Sequence, residues 1–427
     1  MQRILTFLVC VIIVKGLSGQ TYQEISTGQG YNKQSFVRLA DDYQKQVNND
    51  AWDIAFSAFG FQDAGIFINE SSGSSMGQNL PQTELYYAET DNFNATIDVE
   101  AIKNNRYLNT EESWNYGAFN EIRDTMNPYD FGWGEYLPSQ FKVVGDKVYV
   151  IRLRNGEYRK IKIESLTATA YTFRYSKLDG TGEVVKTLDK MADSYGKKFI
   201  FYNLTTHATV DVLPEGGFDL MYCRYISIAK DPVGTIIQQY NVTGILSGFG
   251  VKTAEADGVN PVTVSFEQYK DSLKTLTDVI GYDWKTLVGT SWSLDMDRVY
   301  FVKTADGKVW KIRIIDFEGS FTGTAVLEKT DITASATSDL PGVQSLIYPN
   351  PATDRLYIVI DKAVNNPQTI SISVTDATGR KVYQNNTGTS TLFGAESIDT
   401  GSWTNGVYYV TLTDLQGNKT TTKILKN

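Results

Sequence analysis

The sequence predicts a mainly β protein in three folded parts: two tandem β-rich domains followed by a small immunoglobulin-like β-sandwich. Three observations carry this expectation. Aromatic residues are abundant, with 26 Tyr, 20 Phe and 7 Trp, and together with Thr, Val and Ile they recur in alternating runs, the composition of packed sheets. A segment from the middle of the chain is repeated further on. The C-terminal residues 345–427 read as short strands separated by turn residues. For a chain of 427 residues, a prior of roughly 150 residues per domain gives about three domains.

The N-terminus reads as an export signal covering residues 1–19. Arg3 supplies the positive charge, Ile4 to Val14 form the apolar run, and Gly16-Leu17-Ser18-Gly19 offers small residues for cleavage before Gln20. The run is shorter than the roughly 20 apolar residues of a membrane span, and no later stretch replaces it. Cys10 leaves with the signal, so Cys223 remains alone and no intrachain disulfide is expected. With 49 acidic and 40 basic residues the net charge is -9, which repels phosphate backbones and argues against a nucleic-acid partner.

The repeat is specific. Phe131 to Ile163 lies without a gap on Tyr282 to Ile314: Trp133 meets Trp284, Val148-Tyr149 meets Val299-Tyr300, and Gly156 meets Gly307. Upstream, Phe36, Leu39 and Trp52-Asp53-Ile54-Ala55-Phe56 find weaker counterparts in Phe201, Leu204 and Phe218-Asp219-Leu220-Met221-Tyr222. Domains of 20–185 and 186–332 follow. In each, a hairpin turns at a dipeptide, Asn155-Gly156 or Asp306-Gly307, of the kind that suits a two-residue type I′ turn. That loop length sets Val150 opposite Ile161, Val148 opposite Ile163, Phe301 opposite Ile312 and Val299 opposite Ile314, with this face in the core. Tyr149, Ile151, Lys160 and Lys162 then share a partly exposed face.

Residues 333–344 are rich in Ala, Ser, Thr, Asp, Pro and Gly and read as a linker. Beyond them the runs 355–360, 369–375, 381–384, 407–413 and 420–425 alternate, and short strands at this spacing argue for a small antiparallel sandwich.

In this C-terminal part Tyr348-Pro349-Asn350-Pro351-Ala352-Thr353-Asp354, then Asp376-Ala377-Thr378-Gly379-Arg380, then Gly406-Val407-Tyr408-Tyr409-Val410, and the closing stretch from Lys423, resemble the C-terminal sorting domain of type IX secretion substrates of Bacteroidetes. The sorting motif carried over comprises Tyr348, Pro349, Asn350, Pro351, Asp376, Gly379, Gly406, Tyr408 and Lys423. The resemblance implies delivery by the type IX machinery to the outer-membrane surface or the medium, with the domain usually removed.

Residues 20–332 carry a second resemblance. Trp52-Asp53-Ile54-Ala55-Phe56, followed by Val148 to Arg152, Asn155-Gly156 and Lys160 to Ile163, is similar to the HmuY family of haem-scavenging surface proteins, here in tandem. It implies an all-β, hand-shaped domain that captures haem or meets host haemoproteins outside the cell. The best-known members hold iron through two His, and others through Met. This chain departs from that pattern, because His207 is its single His. Haem iron accepts His, Met, Cys or Tyr, so Met76, Met126, Met191, Met221, Met296 and His207 are the candidates. Met126, in the long stretch between the Trp52 block and the hairpin, and His207 are carried forward as the two axial-ligand candidates. Met221 reads as core.

No enzyme is signalled. Gly73-Ser74-Ser75-Met76-Gly77 matches a nucleophile elbow, yet Ser-rich sequence precedes it and Pro81 follows, where a strand and a helix are required. One His, and one Cys once the export signal is removed, rule out the common zinc clusters, and no particular carboxylate pair stands out for glycoside hydrolysis. The expected function is a non-enzymatic surface ligand-binding protein for haem or another tetrapyrrole. The alternative is a surface adhesion or structural protein that binds no haem.

Overall fold

The structure is a computed structural model. It describes every residue except 1–19, 59–62, 73–81, 231–235, 334–342, 363–369, 386–392 and 415–418. The proposed export signal, most of the linker, Met76 and the elbow-like segment therefore lie outside the described residues.

Two compact units are present, one of residues 22–329 and one that contains residues 330–427. Strands of the large unit begin with β1 (Gln20–Ser26), β2 (Lys33–Val37), β3 (Gln44–Asn48), β4 (Ile54–Ser57), β5 (Ile66–Ile68), β6 (Glu84–Tyr87), β7 (Arg106–Tyr107), β8 (Gly134–Leu137) and β9 (Lys142–Gly145). Next come β10 (Val148–Arg152), β11 (Tyr158–Leu166), β12 (Ala170–Lys177), β13 (Val184–Asp189), β14 (Phe199–Asn203), β15 (Ala208–Val210), β16 (Leu220–Lys230) and β17 (Ile236–Ser247). The unit closes with β18 (Lys252–Ala256), β19 (Lys285–Val288), β20 (Ser291–Leu294), β21 (Val299–Lys303), β22 (Val309–Phe317) and β23 (Thr324–Asp331).

These strands form two lobes with matching sheet orders. In the first lobe the main sheet runs β13-β12-β11-β10-β6-β7 and a smaller one runs β15-β14-β4-β5. In the second, β1-β23-β22-β21-β18 matches the main sheet and β3-β2-β16-β17 matches the smaller one. The N-terminal strands β1 to β3 thus occupy in the second lobe the places that β13 to β15 occupy in the first. Single contacts repeat the exchange. Phe201 of β14 pairs with Ala55 of β4, and Phe36 of β2 pairs with Met221 of β16. The carboxylate of Asp53 accepts from the Leu204 amide at 2.7 Å, and that of Asp219 accepts from the Leu39 amide at 2.8 Å. Loss of either acceptor leaves a buried N–H unpaired, at a cost of about 1–3 kcal/mol.

The expected domains 20–185 and 186–332 are consequently not two self-contained bodies. Ile25, Val37 and Leu39 belong to the core of Leu220, Tyr222, Tyr300 and Ile312, while Ile200, Tyr202 and Leu204 belong to the core of Phe56, Tyr149, Ile161 and Phe173. The first lobe is the continuous stretch from β4 to β15, whereas the second joins β16 to β23 with β1 to β3 from the start of the large unit.

The hairpins stand at equivalent places, with their register one residue from the expected one. Leu153 N–H donates to Glu157 O at 2.8 Å, Gly156 N–H donates to Leu153 O at 2.8 Å, and Gly156 has φ 85°. The connection is therefore three residues, a type I turn closed by a left-handed Gly. Gly307, at φ 90°, plays the same part after Thr304. Tyr149 pairs with Ile161 and Val150 with Lys160; Tyr300 pairs with Ile312 and Phe301 with Lys311. With period-2 alternation this one-residue shift exchanges the faces of β10. Tyr149 and Ile151 face the main core, and Val150 packs on the other side with Tyr86 and Ile102. Trp133 and Trp284 remain equivalent, each fully buried and donating from Nε1 to a carbonyl, Ala64 O at 3.0 Å and Gly281 O at 3.1 Å.

The C-terminal unit contains β24 (Val343–Tyr348), β25 (Arg355–Lys362), β26 (Ser371–Asp376), β27 (Lys381–Asn385), β28 (Phe393–Asp399), β29 (Gly406–Thr413) and β30 (Lys419–Lys426). A three-stranded sheet, β24-β25-β28, and a four-stranded one, β27-β26-β29-β30, enclose Leu356, Ile358, Ile372, Val374, Val410 and Ile424. Its first strand starts at Val343, two residues before the expected boundary. The sorting-motif residues do structural work here. Asn350 accepts from the Leu425 amide at 2.8 Å and donates to Lys423 O at 3.2 Å, tying the Tyr348-Pro349-Asn350-Pro351 segment to β30. Asp376 accepts from Thr378 and Arg380 around Gly379, which has φ 84°, and the Thr378 hydroxyl foremost holds its carboxyl down at about 2. Tyr408, after Gly406, is buried against Trp403 and donates to Thr404 O at 2.7 Å.

Candidate functional site

The two ligand candidates lie on separate turns. His207 sits in the exposed turn between β14 and β15 with φ 57°. Its Nδ1 is 2.5 Å from the Tyr175 hydroxyl, and the rings stack with centroids 5.8 Å apart. Met126 is 88% exposed in a turn held by Asp124, whose carboxylate accepts from the Met126 amide at 2.9 Å. Met191 and Met296 are exposed, whereas Met221 is buried as expected. Neither His207 nor Met126 lines any of the three cavities described below.

Met221 lines an apolar cavity of about 80 Å³ in the seam between the lobes, together with Phe36, Trp52, Phe67, Phe199 and Phe201. Phe36 of β2 and Phe201 of β14, which hold equivalent places in the two lobes, both line this seam. Edge-on ring contacts fill it: Trp52 to Phe201 at 4.9 Å, Phe36 to Phe218 at 5.1 Å and Phe67 to Phe199 at 5.5 Å. Clefts that take drug-sized ligands measure about 300–1,000 Å³, so a tetrapyrrole does not fit this space. A haem held between two protein ligands therefore does not fit the described residues, whose candidate donors are scattered and whose apolar cavity is small.

The polar margin of the same seam is different in character. Glu70, in the short turn after β5, is buried; it accepts from the Asn109 amide at 2.8 Å and from the Ile226 amide of β16 at 3.3 Å. Burial pushes its carboxyl up to about 7. Glu111 accepts from the Ile228 amide at 3.1 Å, and its own carbonyl accepts from Thr277 N–H at 2.8 Å. Burial first and Asp278 second push the Glu111 carboxyl up to about 7, and burial also raises that of Asp278. Both are effects of desolvation and of like charges at close range. Tyr225 is 4% exposed, and its hydroxyl has no hydrogen-bond partner among the described residues.

Two roomier clefts flank the cavity. One of about 480 Å³ has Glu111, Glu112, Glu121, Asp278 and Arg123 in its lining, so that its charged groups are mostly acidic. Another, of about 440 Å³, is lined by Arg38, Lys197, Asp219, Phe249, Lys308 and Trp310. Its cations already have partners: Arg38 is paired with Asp41 at 2.7 Å, and Lys197 with Asp211 at 2.5 Å. None of the seam's polar residues was singled out from the sequence. Glu70, Glu111, Tyr225 and Asp278 lie some 40 to 210 residues apart, and no local spacing announces them.

Comparison with known proteins finds two families. Residues 346–427 match the model of the secretion system C-terminal sorting domain. Residues 18–176 match the model of the HmuY protein family, which is associated with haem binding; the match covers one copy. No curated protein matches the chain. Among solved structures, a polysaccharide lyase is 7% identical over 69% of this chain and 36% of its own, with a TM-score of 0.17. Dimeric latent PorU from Porphyromonas gingivalis is 12% identical over 82% of this chain and 34% of its own, with a TM-score of 0.20. The chain thus spans about a third of the length of these two proteins. The sorting domain indicates export through the type IX system to the cell surface or the extracellular space. No helix among the described residues is long and apolar enough to cross a membrane.

Proposed function

We propose that this chain is a non-enzymatic ligand-binding protein of the cell surface or extracellular space, built from two HmuY-like units, with its ligand taken in the polar seam between the lobes. The observation that supports this reading is the contrast inside the seam. Its apolar centre is packed shut, whereas an acidic cleft of about 480 Å³, well within the size of ligand clefts, stands beside it. Capture of haem between two side chains has less support, because His207 and Met126 are on separate turns and His207 already engages Tyr175 through Nδ1.

Titration of the purified protein with haemin, followed by absorbance, tests this reading. The expected result is no sharp, saturable Soret change and no difference between the wild type and His207→Ala. A saturable, sharpened Soret band abolished by His207→Ala would contradict it.

The second reading, adhesion, is favoured by one surface. Leu287 and Val288 of β19, Trp292 of β20 and Phe321 are 55%, 64%, 38% and 79% exposed. Leu287 and Trp292 are direct cross-strand partners, which groups part of this apolar surface on one hairpin.

A further inference from the structure

The duplication lets one lobe be compared with the other at the same place. In the first lobe the turn after β10 is tied to the loop before β4: the Arg154 guanidinium pairs with Asp50 at 2.9 Å, and the Asn203 amide donates to Ala51 O at 3.1 Å. The correspondences of Trp133 with Trp284 and of Asp53 with Asp219 put Ala305 where Arg154 stands, Gly216 where Asp50 stands and Trp310 where Arg159 stands. Neither Ala305 nor Gly216 has a side chain that can make the tie, and both line the cleft of about 440 Å³. Gly216 has φ 76°, a left-handed course that favours glycine, and a Cβ there would stand 3.0 Å from Arg38 Nη1.

The lining is balanced in charge. Arg38, Lys197, Lys198 and Lys308 face Glu215, Asp219 and Asp306. Counting the ion-pair partners Asp41, Asp211 and Lys45, five cations stand against five carboxylates. Lys329, whose ammonium lies 5.1 Å from the Trp310 ring centroid, is paired with Asp42. The cleft therefore calls for neither an anion nor a cation. It does offer hydrogen bonds of both senses: an ammonium has three N–H donors, a guanidinium five, and a carboxylate about four acceptor positions, of which an ion pair uses only some. Apolar surface stands beside these groups, in the half-buried Phe218 and Phe249 and in Trp310. Trp310 is 6% exposed, and its indole N–H has no acceptor among the described residues. A buried donor is costly until an acceptor reaches it.

We infer that this cleft binds a neutral saccharide. Each sugar hydroxyl donates one hydrogen bond and accepts two, which suits a lining rich in both kinds and balanced in charge. The C–H faces of the ring suit the aromatic side chains, and a sugar oxygen gives the Trp310 N–H its acceptor. The volume lies within the range of ligand clefts. No residue lines both this cleft and the acidic one of about 480 Å³, so the site is additional to the one proposed above and is tested apart from it.

Calorimetric titration of the purified protein with maltose, cellobiose, lactose and N,N′-diacetylchitobiose tests the inference, with digalacturonate, a serine-glycine hexapeptide and triethylene glycol as comparisons. At least one neutral disaccharide is expected to bind saturably and about tenfold or more tightly than each comparison. Trp310→Phe, which keeps an aromatic ring and removes the N–H, should weaken that binding about tenfold. Ala305→Arg, which installs the first lobe's residue in the exposed turn, should abolish it. Thermal melts of the two variants read their folding separately. In a nitrogen–proton correlation spectrum the indole resonance that Trp310→Phe lacks should move when the wild type is titrated. Binding of none of the four disaccharides would overturn the saccharide site, as would equal binding of digalacturonate or the peptide. Binding that moved no Trp310 resonance and survived Ala305→Arg would overturn its place in this cleft.

Discussion

Deleting residues 343–427 is expected to leave the large unit folded and the protein in the periplasm. The C-terminal sandwich closes its own core around Leu356, Ile358, Val374, Val410 and Ile424, and it is a compact unit distinct from residues 22–329. Its removal should therefore expose little apolar surface of the large unit. Export across the outer membrane should fail completely, because the family assigns that step to the deleted domain. Cell fractionation with a thermal melt of the truncated protein checks both halves. A truncated protein that reached the surface or medium normally would sink the sorting role, and a lost melt would sink the independence of the units.

Removing residues 20–48 should have the opposite effect, abolishing folding of the second lobe while leaving most of the first intact. Ile25, Phe36, Val37 and Leu39 are each at most 1% exposed, and Ile25, Val37 and Leu39 lie in the second lobe's core. At about 1.5–3 kcal/mol for each buried side chain, their loss equals or exceeds much of the roughly 5–15 kcal/mol that stabilises a whole domain. The deletion also bares the edges of β23 and β16, which invites aggregation. Limited proteolysis should then cut within residues 216–329 well before residues 50–210. Cleavage that began in the first lobe instead would mean that β1 to β3 fold with β4 to β12.

The features legible in the sequence were those encoded locally. Alternation in residues 148–152 and 158–166 announced β10 and β11, and the Trp133 and Trp284 correspondence placed the two hairpins at matching positions. Asn350, Asp376 and Tyr408 form contacts within the C-terminal unit, so their motifs marked a real turn, corner and strand attachment. The hairpin register was not legible, because a Gly after Asn155 or Asp306 serves a two-residue and a three-residue loop equally well. Nor was the exchange. When two halves resemble each other, β2 pairs as well with β16 as with β4, and only the connections decide. Glu70, Glu111, Tyr225 and Asp278 escaped notice because they belong to different lobes and meet only where these pack together.

The second lobe is completed as described only if β2 pairs with β16, and disulfide trapping reads that pairing directly. Val37 and Leu220 are opposite one another across β2 and β16, at the spacing that neighbouring strands share with disulfides. In an unexchanged fold Val37 would face Ile54, the residue that Tyr202, its counterpart, pairs with here. Burial pushes the Cys223 thiol up to about 12, so it will not compete. Peptide mapping of the oxidised Val37→Cys/Leu220→Cys and Val37→Cys/Ile54→Cys proteins should find an intrachain disulfide in the first and none in the second. A crosslink confined to the Val37→Cys/Ile54→Cys protein would contradict that pairing and, with it, the second lobe as described.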